Sequence, residues 1–213
     1  MTTDTGGTRH VELVTVARQF GAGGSEIAAA VGRALGWRVL DREILHATAA
    51  HLNTTERDVA LVDEYARNTL EKIAASFTLA GPDTVPDATY DIDADTVAKA
   101  VHTVIRASIA TLPLVVVGHG AQCMFGARHD ALHVRVIAPV ESRAKRIAHR
   151  ESMALEEARA EVLRRDKQRE RYLKQHFGCD PAEVSLYSMQ VNTARMSVGQ
   201  CVEAILAAVR AGR

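Results

Sequence analysis

One stretch near the start of the chain, Val11–Ala29 (VELVTVARQFGAGGSEIAA), constrains the fold more than any other. It opens with Val11-Glu12-Leu13-Val14-Thr15-Val16, an apolar run rich in β-branched residues, which suits a pleated strand. The run is nearly continuous rather than alternating, so the strand is expected to be buried on both faces, as in a parallel sheet. Gly21-Ala22-Gly23-Gly24 follows. Three glycines in four residues cost chain entropy that an ordinary turn does not require. From Ser25 to about Leu35 a helix is predicted, with Ile27, Val31, Ala34 and Leu35 on one side and Gly36 as its stop. Strand, glycine turn and helix in that order let backbone N–H groups converge on a phosphate at a helix N-terminus. Gly21, Ala22, Gly23, Gly24 and Ser25 are therefore read as phosphate-contacting residues. A plain tight turn is the alternative.

The loop departs from the G-x-x-x-x-G-K-[ST] pattern of a Walker A motif. Arg18 stands where that pattern has its first glycine, and Gly24 stands where it has its lysine. Glu26 falls in the first helical turn, where a carboxylate complements the helix dipole. The same carboxylate is a candidate Mg²⁺ ligand beside phosphates, because Mg²⁺ takes hard oxygen donors. Both readings stand on the sequence alone.

The rest of the chain alternates strands and helices, the pattern of an α/β fold with a parallel sheet. Trp37–Leu40 reads as a second strand, with Asp41 able to cap a helix starting near Arg42. A helix is expected from Thr54 or Thr55 to about Ser76, a loop over 78–93, and a helix from Asp93 or Asp95 to about Ala110. Leu114–Val117 and Leu132–Ile137 read as core strands, with a helix from Pro139 through Arg150 and another from about Leu155 to Gln175. Gly178 ends that stretch. Val184–Val191 is read as the last strand, and Ser197–Val209 as an amphipathic helix. No internal repeat is visible.

Of the 213 residues, 47% are hydrophobic, and Lys+Arg and Asp+Glu number 26 each. A balanced charge gives no support to a nucleic-acid or membrane-surface role. The three cysteines, Cys123, Cys179 and Cys201, are spaced neither as a disulfide framework nor as a zinc site. The N-terminal residues are polar without an apolar signal core, and no apolar run approaches the ~20 residues of a membrane helix. A cytoplasmic protein is expected.

Charge is locally concentrated between Arg143 and Lys174. Arg143, Arg146 and Arg150 are spaced i, i+3, i+7 on one helix face. Arg165, Asp166 and Arg169 fall on the next helix. Forked guanidinium groups at such spacing can hold phosphates. The competing reading is a solvated, salt-bridged face, because Glu156, Glu157, Glu161 and Glu170 are interleaved. Gly118-His119-Gly120 ends a buried strand, where ligands of open α/β sheets sit. His119 is thus a candidate substrate contact, or else a histidine bonded to backbone.

With these sites placed, the chain resembles the cytidylate kinase-like family, relatives of bacterial cytidylate kinase among the P-loop nucleoside-monophosphate kinases. The matching runs are ARQFGAGGSEIA, ALGWRVLDREIL, LVVVGHGAQCMF, HVRVIAPVESRAKRI, EEARAEVLRRDKQRERYL and VNTARMSVGQCVEAI, spread from about Val11 to Ile205. The resemblance implies a three-layer P-loop NTPase-like α/β fold, a parallel five-stranded sheet flanked by helices. It implies one kinase-like domain over 1–213, with an acceptor-binding insert at about 45–96 and a lid at about 143–178.

The implied reaction is transfer of the ATP γ-phosphoryl group, with Mg²⁺, to a nucleoside monophosphate such as CMP or dCMP, or to a related small acceptor. Arg18, Arg165, Asp166 and Arg169 become expected catalytic residues. Arg143 and Arg146 join Gly21–Ser25 on the donor phosphates, and Asp41, Arg42 and His119 take the acceptor. Glu26 would hold the metal. The expected partners are small nucleotides, not nucleic acid or membrane.

Four places differ from a standard cytidylate kinase. Gly24 replaces the loop lysine, and Glu26 replaces a hydroxyl residue. The run Asp41-Arg42-Glu43-Ile44-Leu45 stands where the acceptor run has its serine, tyrosine and arginine. His119 stands where relatives tend to carry arginine. The alternative function is therefore a nucleotide-binding protein with weak or no turnover.

Overall fold

The computed structural model describes residues 10–41, 43–52 and 94–212. The helix expected from Thr54 or Thr55 to Ser76, the loop expected over 78–93 and the candidate residue Arg42 lie outside them. The chain divides into two compact units, one of residues 1–41 with 109–213 and one of residues 42–108.

In the first unit β1 (Leu13–Arg18) leads through the glycine loop into α1 (Gly24–Leu35), and β2 (Arg38–Leu40) follows. After the second unit come β3 (Leu114–Val117), the short α4 (Ala121–Met124), β4 (Ala131–Ile137), α5 (Val140–Glu151), α6 (Leu155–Phe177), β5 (Met189–Asn192) and α7 (Val198–Ala211). The five strands form one parallel sheet in the order β2-β3-β1-β4-β5. The expected parallel five-stranded α/β architecture is what the chain adopts.

β1 is central, with β3 and β4 as its neighbours, which explains its unbroken apolar run. Strand side chains alternate between faces. Val14, Val16, Val115, Val117, Val134 and Val136 pack with Ile27 and Val31 of α1 and with Ile205 and Val209 of α7. The other face carries Leu13, Thr15, Leu114, Val116 and His133, also buried. There the Thr15 hydroxyl meets His133 Nδ1 at 2.7 Å across paired strands. α1 ends on Gly36 at φ 68° and α6 on Gly178 at φ 64°, both left-handed as their glycines allow. α7 starts on a capping box made by Ser197 and Gln200.

The last strand is shorter than its sequence predicts. Val184–Leu186 is a 3-10 turn, with the Glu183 carboxylate accepting from the Ser185 N–H, and Val184 is 62% exposed. Only Met189–Asn192 is in register with β4. Apolar residues at alternate positions imitate a strand, but a segment with no sheet edge to meet takes the local hydrogen bonds instead.

In the second unit α2 (Glu43–His51) packs on α3 (Ala94–Ser108). Ile44, Val97, Val101 and Ile105 are buried, the last three forming one helical stripe. No helix among the described residues is long and apolar enough to cross a membrane, and the three cysteines are free thiols.

Candidate functional site

The glycine loop joins the end of the central strand to the start of α1. Gly21 and Gly23 hold φ of 77° and 83°, a left-handed conformation that costs an L side chain. Gly21 is also crowded, because a Cβ there would lie 3.0 Å from Ile147 Cγ1 and 3.2 Å from the Arg143 carbonyl.

The loop's carbonyls are held one by one. Arg169 Nη1 donates to the Arg18 carbonyl at 2.8 Å, and Arg143 Nη1 to that of Phe20 at 3.0 Å. Arg146 Nη1 donates to the Gly21 carbonyl at 2.6 Å, and Thr193 Oγ1 to that of Ala22 at 2.9 Å. A trans peptide points its C=O and its N–H in opposite directions. The N–H groups of Gly21 and Gly23 therefore face away from these donors, while that of Ala22 closes a turn on the Gln19 carbonyl at 3.2 Å. No side chain caps α1 at Gly23. The N–H groups of Gly24, Ser25 and Glu26 thus add the positive end of the helix dipole to the same cradle.

Asp166 holds the loop from α6. Its carboxylate accepts from the Phe20 N–H at 2.8 Å and from Arg143 Nη1 at 2.5 Å. Arg143 is 2% exposed, and its Nε donates to the Ala138 carbonyl at 2.8 Å. The guanidinium groups of Arg165 and Arg169 each lie 5.6 Å from the centre of the Phe20 ring, within cation–π range.

The basic helices divide between the two readings of their spacing. Arg143, Arg146 and Arg169 turn to the loop. Arg150 pairs with Glu151 and Arg159 with Glu141 on exposed surface, while Arg164 and Arg165 share Glu161. Hydrogen bonding from Arg164, and then from Arg165, holds the Glu161 carboxyl below its usual range against the opposing effect of burial.

Arg18 crosses the loop on its other side. A Cβ on Gly24 would fall 2.5 Å from Arg18 Cβ and 2.9 Å from its Cγ, so the arginine stem lies on the bare Cα of Gly24. Its guanidinium sits against the Cα of Gly118 and comes within 3.6 Å of Asp41 Oδ1. Gly118, His119 and Gly120 follow one another at φ 73°, 52° and 73°. Arg18, Gly24 and Asp41 thus share one end of the sheet with the 118–120 turn, far from them in sequence. Glu26 is exposed on the first turn of α1. Among the described residues no three His, Cys, Asp or Glu side chains gather as a metal cluster, but Mg²⁺ beside phosphates needs only one or two carboxylates.

Sequence reasoning missed Thr193 and Gln19. Gln19 Oε1 accepts from the Ala138 N–H at 3.0 Å, tying the loop's entry to the end of β4. Thr193 lies just past β5, at the same end of the sheet as the loop. The available signal was that position after a parallel strand, together with its place in the run VNTARMSVGQCVEAI.

A family model described as the cytidylate kinase-like family matches residues 13–195. The chain belongs to the cytidylate kinase-like family. Members of known name lie at modest distance. A cytidylate kinase of Methanopyrus kandleri is 36% identical over 78 residues, which is 37% of this chain and 40% of that protein. One of Ignicoccus hospitalis is 38% identical over 74 residues, 35% and 43% of the two chains. This cytidylate kinase-like chain thus aligns with about two fifths of the length of these curated relatives.

Solved structures extend the likeness to the whole fold. A protein of Eubacterium ventriosum superposes with a TM-score of 0.66 at 15% identity, covering 93% of this chain and 98% of its own. Shikimate kinase of Bacteroides thetaiotaomicron does so with a TM-score of 0.54 at 11% identity, covering 93% and 98%. At these identities the likeness is one of fold, a parallel five-stranded sheet flanked by helices.

Proposed function

We propose that this protein transfers the γ-phosphoryl group of ATP to a nucleoside monophosphate, with CMP or dCMP as the first acceptors to test. Membership of the family supports a nucleotide-binding phosphotransferase. The observation that carries the reading is the seat of Arg18 on Gly24. The loop pattern normally has glycine at the first of these positions and a cation at the second. In this chain the two are exchanged, and the arginine stem fills the space that a side chain at position 24 would occupy. Arg18 then serves as the cation of the donor site.

In this reading the N–H groups of Gly21, Gly23, Gly24 and Ser25 receive donor phosphate oxygens. Phosphoryl transfer asks the protein for positioning and charge stabilisation rather than covalent chemistry. Arg18 supplies a positive charge where negative charge develops in the transition state, an effect worth about 10²–10³ in rate for one well-placed donor. Asp41 sets the orientation of the Arg18 guanidinium, and Asp41 and His119 address the acceptor. Arg143, Asp166 and Arg169 act on the phosphates through the loop they hold, and Arg165 acts from its place over Phe20. Glu26, exposed on the first turn of α1, is the carboxylate that would hold Mg²⁺. The metal supplies charge neutralisation on the donor phosphates.

The test is Mg²⁺-dependent ADP release from ATP, with CMP, dCMP, UMP, AMP and GMP offered singly. Release that rises with CMP or dCMP supports the proposal. Thermal stabilisation by ATP without turnover on any acceptor overturns it, in favour of a nucleotide-binding protein.

A further inference from the structure

Thr193 follows directly on β5, an edge strand two places from β1 in the sheet order, yet it touches the glycine loop. Its Oγ1 donates to the Ala22 carbonyl at 2.9 Å. Arg146 Nη1 donates to the Thr193 Oγ1 at 3.4 Å and to the neighbouring Gly21 carbonyl at 2.6 Å. Thr193 is itself fixed, since its N–H donates to the Ile137 carbonyl at 3.0 Å, continuing the β4–β5 ladder beyond Asn192. The side chain is therefore aimed by the sheet rather than by a mobile segment.

The Ala22 carbonyl and the Gly23 N–H belong to one peptide plane. Gly23, at φ 83°, has none of the side-chain restraint that would keep that plane from turning over. A turned plane would aim a carbonyl oxygen into the anion cradle and withdraw an N–H from it. We propose that Thr193 is a positioning residue for the phosphate loop: its hydroxyl, backed by Arg146, keeps the Ala22–Gly23 peptide in the orientation that accepts phosphate. The proposal rests on the phosphate-binding reading above and adds to it a residue outside the loop, just past the edge strand.

Two variants separate positioning from packing. Thr193→Val keeps the shape and loses the donor, and Thr193→Ser keeps the donor and loses the methyl. Calorimetric titration with inorganic tripolyphosphate and with MgATP is expected to show about a tenfold weaker Kd for Thr193→Val, in line with the loss of one buried hydrogen bond. Thr193→Ser is expected to bind like wild type. The melting temperature checks that both variants are folded.

Hydrogen–deuterium exchange of the peptide spanning Arg18–Ile27, without ligand, is the second measurement. Exchange is expected to quicken by about tenfold in Thr193→Val only. Equal binding and equal exchange in wild type and Thr193→Val overturn the proposal, as does a Thr193→Ser variant that matches Thr193→Val. If wild type binds neither tripolyphosphate nor MgATP, the phosphate reading of the loop fails. The exchange experiment then still decides whether Thr193 orders it.

Discussion

A side chain on Gly24 would begin 2.5 Å from Arg18 Cβ, well inside van der Waals contact. Gly24→Lys alone is therefore expected to displace the arginine, lowering both melting temperature and turnover. Arg18→Gly alone removes the cation, and kcat/KM is expected to fall by about 10²–10³. The double variant Arg18→Gly/Gly24→Lys restores one cation in one space and should recover much of the loss. A double-mutant cycle on kcat/KM measures that coupling. His133 offers a different test on the same strands. Burial pushes its imidazole below the ordinary value of 6.5, and its Nε2 is buried without a hydrogen-bond partner among the described residues. The unfolded chain then binds this proton more readily than the folded one. The contribution is fully present above about pH 6.5 and is lost as the pH falls below it. Urea unfolding at pH 7.5, 6.0 and 5.0 should show the decline, and His133→Gln should flatten it.

Among the elements, α5 and α6 grip the loop most strongly, and Asp166 is their shared anchor. Asp166→Ala leaves the buried Arg143 guanidinium and the Phe20 N–H each short of an acceptor. Breaking a buried ion pair from one side costs several kcal/mol. With Asp166 itself 25% exposed, a loss of about 2 kcal/mol in denaturant unfolding is expected. The elements themselves were largely legible in the sequence. The apolar run of Val11–Val16, the glycines at 21, 23 and 24, and the stops at Gly36 and Gly178 each have a local cause, and local causes can be read from sequence. The 184–191 segment was misread because pairing with β4, not alternation, decides where that strand begins. The arginine contacts were legible only in part. Spacing told which arginines share a face, but not that Arg143 and Arg146 would find carbonyls of the loop while Arg150 found Glu151. An acceptor 125 residues away along the chain, as for Arg146 and Gly21, leaves no periodic trace.

At the scale of the molecule, the five-stranded sheet and the glycine loop fall in one unit, and residues 42–108, which come after β2 and before β3 along the chain, form another. A ligand that binds only the folded state stabilises it by about 2.7 kcal/mol at 100 times its Kd. MgATP at that excess is expected to raise the melting temperature of wild type, and to raise that of Arg18→Ala less at the same concentration. Equal shifts would remove Arg18 from the donor site.

The seat of Arg18 on Gly24 also bears on how such loops change over time. One arrangement keeps its cation at position 24, the other at position 18. A single substitution away from either leaves the loop with two side chains in one space or with none. On the proposed reading the first step from one arrangement to the other is a disabled protein, so a lineage carrying either is expected to keep it. A search for lysine at a fixed place passes over chains of this kind, although the space is filled and the charge is present.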